Sequence, residues 1–284
     1  MPTAEGVIRS VSNNQHEILY NIAKLYNDGN AQFDVDLTYS EGNFYGDFTV
    51  KSGDDGEQYT VTIPQPTIKC DIAPMTDDIV KLDPWGELPF ADNSFKTVVF
   101  DPPFVISPRD CKSVIDGNEK SCMIFNRFSG YYPVNELLDS YKSWLERIYR
   151  VLKDDGILIF KCQPTVTGGK QLNSHHFIWF IAESLGYDLI DEFLLVSNQR
   201  MISGKVTKQV HARKYHSYFY VLKKSTKKKT VYLNFLNDRE IAQVLGGFRN
   251  NNIGKKHGEN HDYRENYVRQ THILSAEERK QLGE

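Results

Sequence analysis

The chain is 284 residues long, 40% hydrophobic and 25% charged, with a net charge of −3. That composition suits a globular protein with one sizeable core and excludes a disordered chain or a wholesale polycation. No run approaches the ~18 apolar residues of a membrane-spanning helix, and Met1 to Ser10 lacks the basic and apolar parts of a secretory leader, so the expected location is the cytoplasm.

Cys70, Cys111, Cys122 and Cys162 are too few and too irregularly spaced for a disulfide framework or a zinc site, and reduced thiols are expected. Glu17 to Tyr26 (EILYNIAKLY) has apolar residues at helical spacing and is stopped by Asp28-Gly29-Asn30, so a helix is expected before the first core strand, Gln32 to Leu37. Gly46 to Ile63 alternates around Asp54-Asp55-Gly56 and reads as a β-hairpin, an insertion to which no chemistry is assigned. Thr67 to Ile72 reads as a second core strand, and Lys96 to Phe100 as a buried parallel strand running directly into Asp101-Pro102-Pro103-Phe104. The polar stretch Ser107 to Gly130 is longer than a connector needs to be, which marks it as functional or mobile.

Leu137 to Leu152 is an amphipathic helix stopped by Lys153-Asp154-Asp155-Gly156 before a strand at Ile157 to Cys162. A helix at His175 to Leu185, ended by Gly186, leads to a strand at Tyr187 to Val196 and a last, antiparallel strand at His216 to Leu222. Strands alternating with helices predict a doubly wound α/β sheet with ligands at the carboxyl ends of its strands. Beyond Lys224 the texture changes to a Lys/Ser/Thr linker and a tail rich in Gly, Asn and His, read as a docking segment.

Charge is unevenly placed. Asp28 to Asp101 is rich in acids, whereas Lys205 to Lys229 contains none and interleaves its lysines with Tyr215, Tyr218, Phe219 and Tyr220. Such a strip fits a phosphate backbone; the plainer reading is a solvated face with a lysine-rich linker.

The strongest chemical signal is Asp101-Pro102-Pro103-Phe104 at the end of an apolar strand. Two consecutive prolines fix φ and remove two backbone donors, leaving carbonyls to accept and an aromatic ring at a set angle. An amino group conjugated with a base ring is a poor nucleophile until its lone pair is localised, and acceptors on both its hydrogens do that. In this reading Asp101 accepts one hydrogen bond and helps take the departing proton, the Pro102 carbonyl accepts the other, Pro103 fixes the turn, and Phe104 stacks on the base. A base in a duplex must first leave its stack. The alternative is a strand ending in a tight turn with a buried Phe.

With Leu88-Pro89-Phe90-Ala91-Asp92-Asn93-Ser94-Phe95 ahead of it, the motif resembles that of the S-adenosylmethionine-dependent amino-methyltransferases. That family modifies adenine N6 or cytosine N4 and carries a D/N/S-P-P-Y/F/W signature. The Asp-initiated form is more typical of adenine enzymes, and the arrangement is similar to that of small phage and prophage methyltransferases. The resemblance covers Gln32 to Leu222: LPFADNSFKTVVF is similar to the third-strand loop and fourth strand of class I enzymes, and KDDGILIFKCQ to their fifth strand. It implies a class I methyltransferase-like doubly wound sheet, mostly parallel with an antiparallel last strand. Residues 1–224 would form the methyltransferase domain, with a β-hairpin insertion at 46–66 and a target-contacting loop at 105–130, and 225–284 a C-terminal extension.

The resemblance also implies S-adenosyl-L-methionine as cofactor and nucleic acid as partner, with DNA ahead of RNA. Where the family usually shows a glycine-rich turn after the first strand, this chain has Phe33 to Tyr45 with Gly42 alone. The cofactor is placed there, with Asp36 and Ser40 at its methionine end, Gly42 allowing close backbone approach, and Asn43, Phe44 and Tyr45 nearby. Asp71 is the natural acceptor for ribose hydroxyls, or a helix N-cap. Asp83-Pro84-Trp85 is placed beside the adenine of the cofactor, the alternative for Trp85 being core. Arg109, Lys112 and Arg127 in the long loop, and Arg213 and Lys214 before the last strand, are assigned to nucleic-acid contacts. His175-His176, neighbours on different faces, make no metal site and are structural or substrate-contacting.

Four activities remain open at this stage: a DNA adenine-N6 methyltransferase, an RNA adenine or guanine amino-methyltransferase, a non-catalytic methyltransferase-like subunit, and a protein-lysine methyltransferase. A homodimer is one way for so compact a domain to contact enough base pairs.

Overall fold

The computed structural model describes residues 7–51, 58–104, 134–167, 169–197, 210–212 and 214–225. In chain order the elements are β1 (Val11–Ser12), α1 (Gln15–Tyr26), β2 (Val35–Asp36), β3 (Gly46–Lys51), β4 (Gln58–Ile63), β5 (Ile68–Asp71), β6 (Val80–Lys81) and β7 (Phe95–Phe100). They continue as α2 (Val134–Val151), β8 (Leu152–Cys162), β9 (Thr165–Thr167), β10 (Lys170–Leu172), α3 (Ser174–Leu185), β11 (Tyr187–Val196) and β12 (His216–Lys224). The expected Ser107 to Gly130 loop and the extension beyond 225 lie outside the described residues, as do Cys111 and Cys122.

Eight strands form one sheet in the order β1-β11-β12-β8-β7-β2-β5-β6, in which β12 alone runs against its neighbours. This is the mostly parallel, doubly wound class I arrangement with a reversed last strand. From β2 the chain moves outward through β5 to β6, then returns to β7 on the other side of β2. The order therefore reverses between β2 and β7, and loops leaving neighbouring strands there diverge and open a crevice at their carboxyl ends.

Side-chain alternation splits the core into two layers. One face of the sheet packs Val98, Phe100, Leu158 and Phe160 against α2 and α3, through Leu137, Tyr141, Trp144, Leu145 and Ile148 of α2 and Ile178 and Ile181 of α3. Those α2 positions recur at the spacing of one helical stripe. The other face packs Val99, Ile159, Phe193 and Phe219 against α1, with Phe44, Tyr45 and Ile63 joining from the hairpin region. Among the described residues no helix is long and apolar enough to cross a membrane. Burial pushes the Cys70 and Cys162 thiols up, Cys70 to about 12.

Local chemistry accounts for the boundaries. The Asn14 side chain caps α1 by accepting from the His16 N–H, and Gly186, left-handed at φ 105°, ends α3 by donating to Ala182 and Glu183 carbonyls. β8 starts at Leu152, earlier than Ile157, because Lys153 to Gly156 forms an irregularity inside the strand rather than a stop before it. Pairing jumps from Phe95↔Leu152 to Thr97↔Ile157, and Asp155 sits at φ 60°. A Cβ at Gly156 would lie 2.8 Å from the Lys153 carbonyl oxygen and 3.0 Å from that of Lys96, so the bulge requires glycine there. The β3–β4 hairpin forms where expected and packs on the start of α1.

Candidate active site

The crevice between β2 and β7 collects three short segments. β2 delivers Asp36 and then Thr38; β7 delivers Asp101; β8 delivers Lys161. All three charged side chains point to the α1 face, because each alternates with residues buried on the other face: Val35 and Leu37, Phe100, and Phe160 and Cys162.

Asp36 is 1% exposed. Its Oδ2 accepts from the Tyr45 hydroxyl at 2.7 Å, and its Oδ1 accepts from the Thr38 N–H at 2.8 Å and the Thr38 hydroxyl at 3.3 Å. The Thr38 Oγ1 in turn accepts from the Asp101 N–H at 2.7 Å. Burial pushes the Asp36 carboxyl up to about 7, against the pull of Tyr45 and Thr38, and the charge of Asp101 adds to the rise. The Lys161 ammonium lies 2.8 Å from Asp101 Oδ2, with side chains 14% and 22% exposed respectively. The turn after β7 is also held from behind, where the Tyr141 hydroxyl of α2 donates to the Pro103 carbonyl at 3.0 Å. Pro102 is buried; Pro103 and Phe104 are half-buried.

The loop after β2 is shaped by its own side chains. Ser40 and Gly42 take left-handed φ values of 50° and 72°, and a Cβ at Gly42 would collide with the Tyr39 phenol. The glycine is thus required by the turn and by Tyr39. Asp71 clamps this loop: its Oδ2 accepts from the Ser40 N–H at 2.8 Å and its Oδ1 from the Ala73 N–H at 2.9 Å. The Asn43 carbonyl lies 2.8 Å from His16 Nε2, tying the loop to the start of α1. Phe44 is buried and approaches Phe219 at 6.3 Å between ring centroids.

Asp36, Ser40, Gly42, Asn43, Phe44 and Asp71 therefore gather beside Asp101 to Phe104, on the carboxyl ends of β2, β5 and β7. The Asp71 carboxylate holds that loop through the Ser40 N–H and its own turn through the Ala73 N–H; it caps no helix. Asp83 stands apart: it is exposed and turns its carboxylate onto the Trp85 N–H at 2.8 Å, a local turn that Arg147 fastens by donating to the carbonyls of Pro84 and Gly86. Arg109, Lys112, Arg127 and Arg213 fall outside the described residues; Lys214 is half-buried, and its carbonyl accepts from Gln163 Nε2 at 3.3 Å. His175 is 7% exposed and stacks on Tyr218 at 4.5 Å. Burial, then the neighbouring His176 and His216, lowers its pKa to about 4. Among the described residues no group of His, Cys, Asp or Glu could hold a metal.

Sequence reading passed over Thr38, Tyr141 and Lys161. The available signal for Lys161 was a lone charge in the apolar run Ile157-Leu158-Ile159-Phe160-Lys161-Cys162; Tyr141 carried none beyond its place on an amphipathic helix.

Residues 95–281, about two thirds of the chain, match the N6/N4 DNA methylase family. The match begins at the first residue of β7 and takes in the Asp101 turn; β2 and its loop precede it. No curated protein matches the sequence. Among solved structures, the chain is similar to a candidate DNA modification methylase of Thermus thermophilus, at 16% identity over 50% of each chain and a TM-score of 0.30. It spans half of that protein, which has also been solved with S-adenosyl-L-methionine. It is similar to the PvuII cytosine-N4-specific DNA methyltransferase at 12% identity, over 48% of this chain and 45% of that one, TM-score 0.34. A candidate sarcosine dimethylglycine methyltransferase from Galdieria sulphuraria overlaps at 14% identity, over 74% of this chain and 85% of that one, TM-score 0.38. The fold rests on the strand order itself, not on these overlaps.

Proposed function

The chain belongs to the N6/N4 DNA methylase family, and from that premise we propose that it transfers a methyl group from S-adenosyl-L-methionine to the N6 amine of adenine in DNA. The observation that carries this reading is the Asp101-Pro102-Pro103-Phe104 turn on the central strand β7, facing the loop after β2 across the crevice where strand order reverses.

The residues there fit the cofactor. Ser40 and Gly42 take left-handed φ on the loop that follows β2, and the acids Asp36 and Asp71 stand at the ends of adjacent strands. Asp36, Ser40, Gly42, Asn43 and Phe44 would hold its methionine end and flank it. Asp71, bonded to the Ser40 and Ala73 N–H groups, retains lone pairs for ribose hydroxyls; Asp83 is exposed. When bound, S-adenosyl-L-methionine supplies a methyl group on a positively charged sulfur.

The chain's own residues do the rest. Asp101 and the Pro102 carbonyl accept the two amine hydrogens, which localises the nitrogen lone pair toward the incoming methyl, while Pro103 keeps the turn rigid and Phe104 stacks on the extruded base. The nitrogen gains one N–C bond as the S–C bond breaks and gives up one proton, for which Asp101 is the acceptor on the way to water. Residues 1–224 carry this chemistry, with the hairpin at 46–66 as an insertion. Target contacts fall to the 105–130 loop with Arg109, Lys112 and Arg127, to Arg213 and Lys214, and to the 225–284 extension. A homodimer would double the base pairs contacted.

The test is modification-sensitive long-read sequencing of DNA from cells expressing wild type or Asp101→Ala. N6-methyladenine at one short motif in wild type only is expected. N4-methylcytosine at that motif would overturn the choice of base, and identical methylomes would overturn the choice of DNA.

A further inference from the structure

Lys161 lies between the loop after β2 and the Asp101 turn, and strand register puts it in place. Phe100 pairs with Phe160 in parallel, so the next step of the ladder sets Asp101 beside Lys161. On the other side, Lys161 pairs directly with Phe219 across the antiparallel β8–β12 ladder. Its ammonium lies 5.0 Å from the Phe44 ring centroid and 5.6 Å from that of Phe219, so two aromatic faces and a carboxylate fix its position. A long flexible side chain held by three partners is not a solvated surface lysine.

That arrangement constrains Asp101 from two directions. Its backbone N–H is bound to Thr38 and its Oδ2 to Lys161, and Oδ1 has no partner among the described residues. We infer that Lys161 is a positioning residue for the proposed methyl transfer: it engages Oδ2 so that Asp101 offers Oδ1 to the target amine, and it balances the charge of Asp101.

The groups around the pair are few. Asp36 from β2 faces Asp101 and itself lies under Tyr45; Lys161 comes from β8; His16 from α1 lies beyond Lys161, whose charge adds to burial in lowering the His16 pKa. Removing the ammonium leaves Asp101 beside Asp36 with no cation on its Oδ2.

This inference rests on the methyltransferase reading for its consequence but not for its physics, and the experiment separates the two. Lys161→Met keeps the length and apolar stem and removes the charge; Lys161→Arg keeps the charge. On the full chain, with DNA and labelled S-adenosyl-L-methionine, Lys161→Met lowers kcat roughly 30-fold while KM for the cofactor stays within about twofold, and Lys161→Arg restores most of kcat. The acid limb of the Lys161→Met kcat profile moves up by about one pH unit. Equal losses in both variants, tracking a fall in Tm with no change in the pH profile, would overturn the inference. A substrate-free readout is the carbon-13 chemical shift of the aspartate carboxyls at one fixed pH, assigned with Asp36→Asn and Asp101→Asn. Lys161→Met moves the Asp101 carboxyl resonance, and an unmoved resonance overturns the inference whatever the protein methylates. A moved resonance in a chain that methylates no nucleic acid would sink the proposed function and leave the positioning role standing.

Discussion

The turns that leave β2 and β7 bring one aspartate each to the same face of the sheet, in opposite settings. Asp36 is sealed from water and met only by neutral donors, two from Thr38 and one from Tyr45. Asp101 is partly open and meets a full positive charge on Lys161. A hydroxyl or amide donor stabilises a carboxylate locally but brings no net charge, so burial still dominates at Asp36 and pushes it up to about 7. The difference sets the two acids apart. Asp36 organises the loop through Thr38 and Tyr45, and Asp101 has a bond on Oδ2 and none on Oδ1 among the described residues.

Exchanging each acid for its amide should pull the two apart. Asp101→Asn is expected to cut methyl transfer at least about 100-fold with little change in Tm; activity within threefold of wild type would make Asp101 as structural an acid as Asp36.

Asp36→Asn is read through stability instead. Ionising a buried carboxyl costs the folded state, so the contribution of Asp36 is fully present below about pH 4 and is lost as pH rises through about 7. An amide cannot ionise, so the variant gains on wild type by up to about 1.4 kcal/mol per pH unit across that window. Urea denaturation at about pH 5 and about pH 8 checks this; a constant difference between the two proteins would refute it.

Thr38 bridges the two turns, and Thr38→Val should cost about 1–2 kcal/mol and slow transfer several-fold. A loss of stability with kcat intact would confine Thr38 to the Asp36 side. The smallest effect belongs to Tyr141→Phe, which removes the hydrogen bond to the Pro103 carbonyl at a cost of about 1 kcal/mol; a rise in Tm would show that bond to be unimportant to the turn.

The same contrast explains what could be read from sequence. The Asp101 to Phe104 turn was legible because an apolar run, a pair of prolines and an aromatic are contiguous, and the helix stop at Gly186 and the Asp54-Asp55-Gly56 hairpin signal are likewise local. The loop after β2 was legible only in outline. β2 pairs through Val35 and Asp36 alone, its ladder continued by irregular bonds such as Leu37 N–H to the Val99 carbonyl, so periodicity overstated the strand. Asp71 resembled a ligand acid because it ends a strand, yet one of its bonds fastens the loop after β2, at Ser40, 31 residues away. Lys161 depends on a partner 60 residues earlier, fixed by register between strands, which no local pattern encodes. The two-residue β6, exposed at Val80 and Lys81, carries no hydrophobic signature.

Where β11 ends and β12 begins, the Ser197 N–H donates to the Tyr215 carbonyl at 2.6 Å. The connection between those strands thus leaves and re-enters the sheet through one closed neck, on the edge where β8 also ends. For a lineage pressed to recognise new targets, such a neck is a permissive slot. Doubling the chain beyond it changes closure entropy by only about 0.6 kcal/mol and leaves every ladder untouched. A change of length between Ser197 and Tyr215 would meet the sheet only at that neck.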